Sequence, residues 1–259
     1  MLLAMKNPRS ILISGASSGI GAALAGLYAA PGIRLALGGR DTNRLHAVAE
    51  NCRRAGATVE ATPVDVTDPE ATMRWVEASD DAAPLDLVIA NAGVSGGTFG
   101  GGESREQASA IFAVNVGGVV NTVHPAAQRM RARGHGQLAL MSSLAGFRGL
   151  PGAPAYSASK AAVHAYGDAL RGRLRRDGVI VSVICPGFIR TPMTDVNGFP
   201  MPFLMEVEDA ARRIRTGLAR NRKRVAFPWQ LYTAVRLVAL LPAALSDPLF
   251  GRMPEKRQR

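Results

Sequence analysis

The chain has 259 residues, 47% of them hydrophobic and 20% charged, with 28 glycines and 16 prolines that follow no period. This is enough to bury one large core, too short for two full-sized domains with a linker, too apolar for disorder, and aperiodic where a collagen-like or fibrous chain would repeat. The formal net charge of +11 is uneven: residues 212–259 hold twelve Lys and Arg against two acids, and residues 1–211 hold nineteen against eighteen, which is unlike a uniformly basic nucleic-acid binder.

SILIS at 10–14 reads as a buried strand, followed by a glycine-rich turn and an Ala/Leu-rich helix over 20–30. A second strand at 33–37 leads into a helix capped by Asp41 or Thr42 and stopped by Gly56. A third strand at 58–64 precedes a helix capped by Thr67 or Asp68 and opened by Pro69. LDLVIA at 85–90 is a fourth strand, and a helical stretch over 103–133 is broken or bent around Gly117 and Gly118. A fifth strand at 137–141, a long helix over 155–176 and the strand VIVSVI at 179–184 complete the alternation. RVAFP at 224–228 is a candidate seventh strand, and 229–241 an apolar helix ended by Pro242. Strand and helix alternating at this pace imply right-handed βαβ crossovers, an α/β architecture with a doubly wound parallel sheet in a single domain, and a divergent C-terminal extension.

The first turn reads Ser14-Gly15-Ala16-Ser17-Ser18-Gly19-Ile20-Gly21, a G-x3-G-x-G spacing between strand and helix. Gly15 lets the chain turn off the strand, Gly19 lets backbone N–H groups reach a pyrophosphate, and Gly21 lets the helix pack on the sheet. A tight turn with no ligand would use the same residues, but the strand–turn–helix setting favours a dinucleotide site. The second strand ends Gly38-Gly39-Arg40 rather than in an acid that would bind a ribose 2′-hydroxyl. Space and positive charge there suit the 2′-phosphate of NADP better than NAD, and Asp41 is better used as a helix cap.

Tyr156-Ser157-Ala158-Ser159-Lys160 places Tyr156 and Lys160 four apart on one helix face. A tyrosine is a useless proton donor and acceptor at its ordinary pKa of about 10. The neighbouring ammonium and the positive charge of an oxidised nicotinamide both favour the phenolate, so Tyr156 is expected to titrate well below that value. Ser143 lies thirteen residues upstream at the end of the fifth strand, Asn91-Ala92-Gly93 ends the fourth, Asn115 sits in the helical stretch, and Pro186-Gly187 and Thr191 follow the sixth. All gather at one sheet edge, where open α/β sheets bind ligands.

Over 10–193 the sequence resembles the short-chain dehydrogenase/reductase family, in its compact group with G-x3-G-x-G and Y-x3-K. The resemblance implies a Rossmann-type NAD(P)-binding and catalytic domain over 1–228, with 229–259 as its basic, partly apolar extension. It further implies a tetrad of Asn115, Ser143, Tyr156 and Lys160: Tyr156 as general acid/base, Ser143 on the substrate carbonyl, Lys160 on the nicotinamide ribose, and Asn115 holding a water of the proton relay. The cofactor positions it implies are Gly15, Ser17, Ser18, Gly19, Ile20, Arg40, Asp65 at the adenine, Asn91, Ala92, Gly93, Tyr156, Lys160, Pro186, Gly187, Ile189 at the carboxamide and Thr191. Ser14 replaces the family's usual Thr and keeps a hydroxyl, and the family's Gly-rich ending is missing.

The resulting expectation is an NADP(H)-dependent oxidoreductase interconverting a secondary alcohol and a ketone, or an aldehyde and its alcohol. A nucleotide-sugar epimerase would need a different Gly spacing and a larger substrate domain, and a non-catalytic cofactor-sensing regulator would be expected to lose part of the tetrad. Residues 192–206, with Met193, Phe199, Met201, Phe203, Leu204 and Met205, are expected to form a lid over the pocket. With Ala145, Phe147 and Phe188 they give an apolar wall suited to a hydrophobic carbonyl compound. His124, His135 and His164 have no metal-ligand spacing, so no metal is expected, and Arg171, Arg173, Arg175 and Arg176 fit a solvated helix end.

Cys52 and Cys185 stand far apart, which disfavours a disulfide framework and fits a reducing cytoplasm. MLLAMKNPR lacks an h-region and cleavage site, so no secretory signal is expected. Apolar runs such as 237–241 fall short of the roughly 18 residues a spanning helix needs. The extension is expected to pack on the domain or a second subunit, or to touch an anionic membrane surface peripherally; nucleic acid is not an expected partner. A homodimer or homotetramer is expected from the family.

Overall fold

The computed structural model describes residues 7–96 and 102–242. Residues 243–259, the end of the basic extension, lie outside them. Seven parallel strands form one sheet in the order β3-β2-β1-β4-β5-β6-β7. They are β1 (Ser10–Ser14), β2 (Arg34–Gly39), β3 (Thr58–Pro63), β4 (Leu87–Ala90), β5 (Gly136–Met141), β6 (Val179–Pro186) and β7 (Arg224–Phe227). The order reverses between β1 and β4, which opens a crevice at the carboxyl edge there.

The alternation of side chains along each strand divides the core in two. Ile11, Ile13, Leu35, Leu37 and Ile89 pack under α1 (Gly19–Tyr28), α2 (Thr42–Arg54) and a later helix, Val207–Ala219. Leu12, Ala36, Val88, Leu138 and Val181 face the other way, against α3 (Pro69–Ala82) and helices between β4 and β6. Both faces of the central strands are buried, so these strands read as continuous apolar runs.

The helix starts follow their capping residues. The Asp41 carboxylate accepts from the Arg44 N–H at the head of α2, and Asp68 accepts from the Ala71 N–H ahead of Pro69 in α3. The stretch expected over 103–133 is resolved into α4 (Arg105–Phe112), a π turn (Ala113–Gly117) and α5 (Gly118–Arg133). By length and composition this stretch alone among the described helices could cross a membrane, but more than half of its apolar window is buried in the domain, which makes it a core helix. A short 3-10 turn (Leu144–Gly146) and α6 (Pro154–Leu174) follow β5. After β6 come α7 (Pro192–Asp195) and α8 (Val207–Ala219), and after β7 comes α9 (Trp229–Ala239).

Arg171 departs from its expected solvated role. It donates to the Val181 carbonyl and, at 2.9 Å, to Asn221 Oδ1, so it ties α6 to β6 and to the turn before β7. His124 and His135 are exposed and His164 is half-buried on α6, and no group of metal-ligating side chains occurs among the described residues.

Candidate active site

A cleft of about 320 Å³ opens at the carboxyl edge, at the reversal point between β1 and β4. It is lined by all the expected cofactor residues: Gly15, Ser17, Ser18, Gly19, Ile20, Arg40, Asp65, Asn91, Ala92, Gly93, Tyr156, Lys160, Pro186, Gly187, Ile189 and Thr191. Ser143 also lines it, whereas Asn115 lies just behind, fully buried.

The glycines are there for close approach. A Cβ on Gly21 would meet the Gly15 carbonyl oxygen at 2.2 Å, and Gly15 itself has φ +66 against the Ala92 backbone. Ser18, the N-cap of α1, makes no side-chain capping bond, so the first N–H groups of this helix are free for an anion. That is how the residues present fit a dinucleotide's pyrophosphate.

The turn is held from across the chain. Asn91 Nδ2 donates to the Ser14 and Gly15 carbonyls at 3.0 and 3.1 Å, and the Asn91 and Ala92 N–H groups donate to Ser14 Oγ at 3.1 and 3.2 Å. The hydroxyl of Ser14 therefore ties the end of β1 to the end of β4. At the far end of β2, Gly39, Arg40, Asp41 and Arg44 line the cleft together, and Arg44 Nε pairs with Asp41 Oδ2 at 2.8 Å. Asp41 is thus engaged by Arg44 and its own helix, as a cap would be. Asp65 accepts from the Thr67 N–H and hydroxyl through Oδ1, and these bonds hold its carboxyl below the usual range.

Tyr156 and Lys160 lie in the first turns of α6. Lys160 is 3% exposed, its Nζ donates to the Met141 carbonyl at 3.0 Å and lies 5.7 Å from the centre of the Tyr156 ring. Burial pulls its pKa down to about 8. Ser143 Oγ accepts from the Ala145 N–H at 3.1 Å and donates to the Pro186 carbonyl at 3.4 Å, and Ser143 and Tyr156 both line the cleft. The expected lowering of the Tyr156 pKa does not hold for the protein without its nicotinamide. Burial raises it, and the Ser143 hydroxyl beside it only partly opposes this. The cause is desolvation, which penalises the phenolate and the ammonium alike.

Asn115 sits in the π turn. Its Oδ1 accepts from the Val94 N–H at 2.8 Å, and its Nδ2 donates to the Val94 carbonyl and to Ser159 Oγ, both at 3.0 Å. Every polar atom of its side chain is committed, so it links the β4 loop to α6 behind the tyrosine. Ser159 in turn donates to the Tyr156 carbonyl at 2.7 Å.

Among the lid and wall residues, Met193 lines the cleft. Phe203 is instead 54% exposed, and Phe188 packs edge-on against Phe199 with 6.1 Å between ring centres. Phe147 is turned away from the cleft: it packs edge-on against His164 and Tyr232, with the Arg224 guanidinium 5.3 Å from its ring centre. It wanted a partner, and α9 supplies one. The stretch expected to form the lid, α7 and the loop after it, is closed at its neck, where Met205 N donates to the Phe188 carbonyl, Arg190 N donates to the Met205 carbonyl, and Arg190 pairs with Glu206 at 2.9 Å. Arg44 and Ser142 also line the cleft and Ser159 bonds Asn115 behind it, and motif reading singled out none of the three. Arg44 stands one helical turn after Arg40, and Ser159 immediately precedes Lys160.

Residues 9–198 match the family model for short chain dehydrogenases. The chain belongs to the short-chain dehydrogenase/reductase family. An uncharacterized oxidoreductase of Myxococcus xanthus is 43% identical over 246 residues, covering 95% of this chain and 97% of its own. One from Mycobacterium tuberculosis is 34% identical over 243 residues, covering 92% of this chain and 96% of its own. Among solved structures, a Sphingobium yanoikuyae short-chain dehydrogenase in complex with NADPH superposes with a TM-score of 0.78 at 29% identity, over 96% of this chain and 98% of its own. A Burkholderia phymatum short-chain dehydrogenase/reductase in complex with NAD gives 0.83 at 25% identity, over 98% and 99%. This short-chain dehydrogenase/reductase is accordingly an oxidoreductase of the NAD(P)-using kind.

Proposed function

We propose that the protein is an NADP(H)-dependent reductase of apolar ketones or aldehydes, working equally in reverse on the secondary or primary alcohol. The observation that carries this reading is the convergence of Ser143, Tyr156 and Lys160 on the cleft that the glycine turn opens. Gly15, Ser17, Ser18, Gly19 and Ile20 would hold the pyrophosphate, Asp65 the adenine, and Ile189 and Thr191 the carboxamide side. Lys160 would hold the nicotinamide ribose. Such a cofactor supplies or accepts the hydride.

The protein's share is positioning and proton transfer. The Ser143 hydroxyl orients and polarises the substrate carbonyl, and the Tyr156 hydroxyl beside it gives its proton to the same oxygen as charge develops there. Lys160 stabilises the phenolate left behind. Asn115, with its side chain committed, holds the frame, and any relay water there would rest on its main-chain carbonyl. Measuring NADPH oxidation against a panel of apolar carbonyl compounds, with Tyr156→Phe as control, tests the reaction; no turnover of any member by the wild type would count against it.

NADP is favoured over NAD because Arg40 and Arg44 line the cleft beyond Gly39 and the one acid between them, Asp41, is engaged by Arg44 and α2. A charge-assisted bond to a 2′-phosphate contributes about 1.5–3 kcal/mol, ten- to a hundredfold in affinity. Titration of NADPH and NADH into wild type and Arg40→Ala should show tighter NADPH binding that the variant loses. Equal affinities in the wild type would reject the preference. The same reading takes the chain as a homodimer or homotetramer in a reducing cytoplasm, where the buried thiols of Cys52 and Cys185 stay free.

A further inference from the structure

Helix α9 is apolar on two sides. Leu231, Tyr232, Val235 and Val238, at helical spacing, form its half-buried inner face, and Leu231 and Tyr232 pack on Leu144, Cys185 and Phe147. The opposite side carries Trp229 at 68% exposure and Leu237 at 62%, with Arg236 at its margin, and the turn that ends the helix adds Leu240 at 75% and Leu241. A Trp and three Leu at such exposure form an apolar stripe that the described residues leave uncovered.

In sequence the charge around this stripe is of one sign, although in the structure Arg212 pairs with Asp209, and Lys223 and Arg224 pair with Asp168. From residue 210 to residue 246 there are eight Lys and Arg and no acid. The seventeen residues beyond Pro242 add Leu245, Leu249, Phe250 and Met253 together with Arg252, Lys256, Arg257 and Arg259, against Asp247 and Glu255. Apolar side chains interleaved with cations match a surface that is both greasy and anionic.

The helix also begins at the sheet edge that carries the site. Phe227 is in register with Pro186, so α9 leaves β7 at the edge where the lid leaves β6, and a Cβ on Gly187 would sit 3.0 Å from both Leu231 and Pro228. The lid exposes Met193, Val196 and Phe203 to solvent at 39, 64 and 54%.

We infer that α9 docks this enzyme onto an anionic lipid bilayer, so that the cleft draws its apolar substrate from the membrane. The substrate clause rests on the function proposed above; docking is read by a binding measurement that needs no turnover. Trp229 makes the test direct, since the protein's other tryptophan, Trp75, is buried. Vesicles of pure phosphatidylcholine and vesicles containing 30% phosphatidylglycerol are titrated into the full chain while tryptophan emission is followed, with co-sedimentation in parallel. Each cation near such a surface strengthens partitioning about fivefold, so the anionic vesicles should bind at least tenfold more tightly, less so at high salt. Emission should shift to the blue in wild type and stay put in Trp229→Phe. Leu237→Ser with Leu240→Ser, at solvent-exposed positions away from the cleft, should abolish co-sedimentation while melting temperature and NADPH affinity stay unchanged. No emission shift and no sedimentation with anionic vesicles would overturn the inference. So would a wild-type dimer that Leu237→Ser with Leu240→Ser converts to monomer, because the stripe would then be a subunit interface.

Discussion

Burying Lys160 against the Met141 carbonyl beside the half-buried Tyr156 works against folding while it equips the cleft. Its folded pKa of about 8 lies below the ordinary 10.5, so between those values the unfolded chain binds more protons and stability rises with pH. The full penalty is present below pH 8. Lys160→Met should therefore raise the melting temperature of the cofactor-free protein at pH 7 by about 2–4 °C, equivalent to about 1 kcal/mol, with the gain shrinking as pH approaches 10.5. Thermal melts at pH 7 and pH 10 check this, and the same variant should lose turnover. Tyr156→Phe isolates the proton: turnover should fall by about 10²–10⁴-fold with NADPH affinity retained, and near-normal turnover would remove Tyr156 from its proposed role.

At the scale of single elements, the first βαβ unit was the most readable part of the chain. SILIS, the glycine spacing and the α2 cap all follow from local chemistry, and β1 falls on the expected residues while Asp41 and Asp68 cap as expected. Less readable was the interruption after Phe112. Gly117 and Gly118 marked its place, but a π turn keeps the apolar periodicity of the helices on either side, so its type carried no signal. The orientation of Phe147 was illegible for a different reason. Its partners His164, Arg224 and Tyr232 lie 17 to 85 positions away, and no local pattern announces them. The expected fall in the tyrosine pKa failed in kind: spacing reports that a cation is near but not that both groups leave water. The tight α1–turn contact supplies its own test. Gly21→Ala would drive a methyl into the Gly15 carbonyl and Asn91 Nδ2, so the turn must shift. Isothermal titration should show NADPH affinity falling at least tenfold, and unchanged affinity would mean that the turn yields without cost.

For the molecule as a whole, the C-terminal helix completes the wall that β7 begins. Leu231 covers Leu144 and Cys185 directly behind Ser143, so trimming it loosens the ground on which the proposed contact of Ser143 with substrate stands. Leu231→Ala should cost about 1–2 kcal/mol by urea unfolding, below the range for a fully buried leucine because the side chain is only half-buried. The direction of the extension could be read from composition, since its charge and apolar run stand apart from the rest of the chain. Its packing partners could not, because they depend on where β7 joins the sheet.

The Asn91 clamp has a consequence for how ligand and fold are coupled. The two carbonyls it grips lie 77 and 76 positions earlier, so the glycine turn is a product of tertiary assembly, complete only once β4 has docked beside β1. No fragment ending before β4 carries it. A nucleotide that fits this turn thus meets a binding surface only on finished molecules, and each tenfold excess over its dissociation constant adds about 1.4 kcal/mol to global stability. Amide protons deep in the central strands should then exchange more slowly as NADPH is added, far from any atom the nucleotide touches.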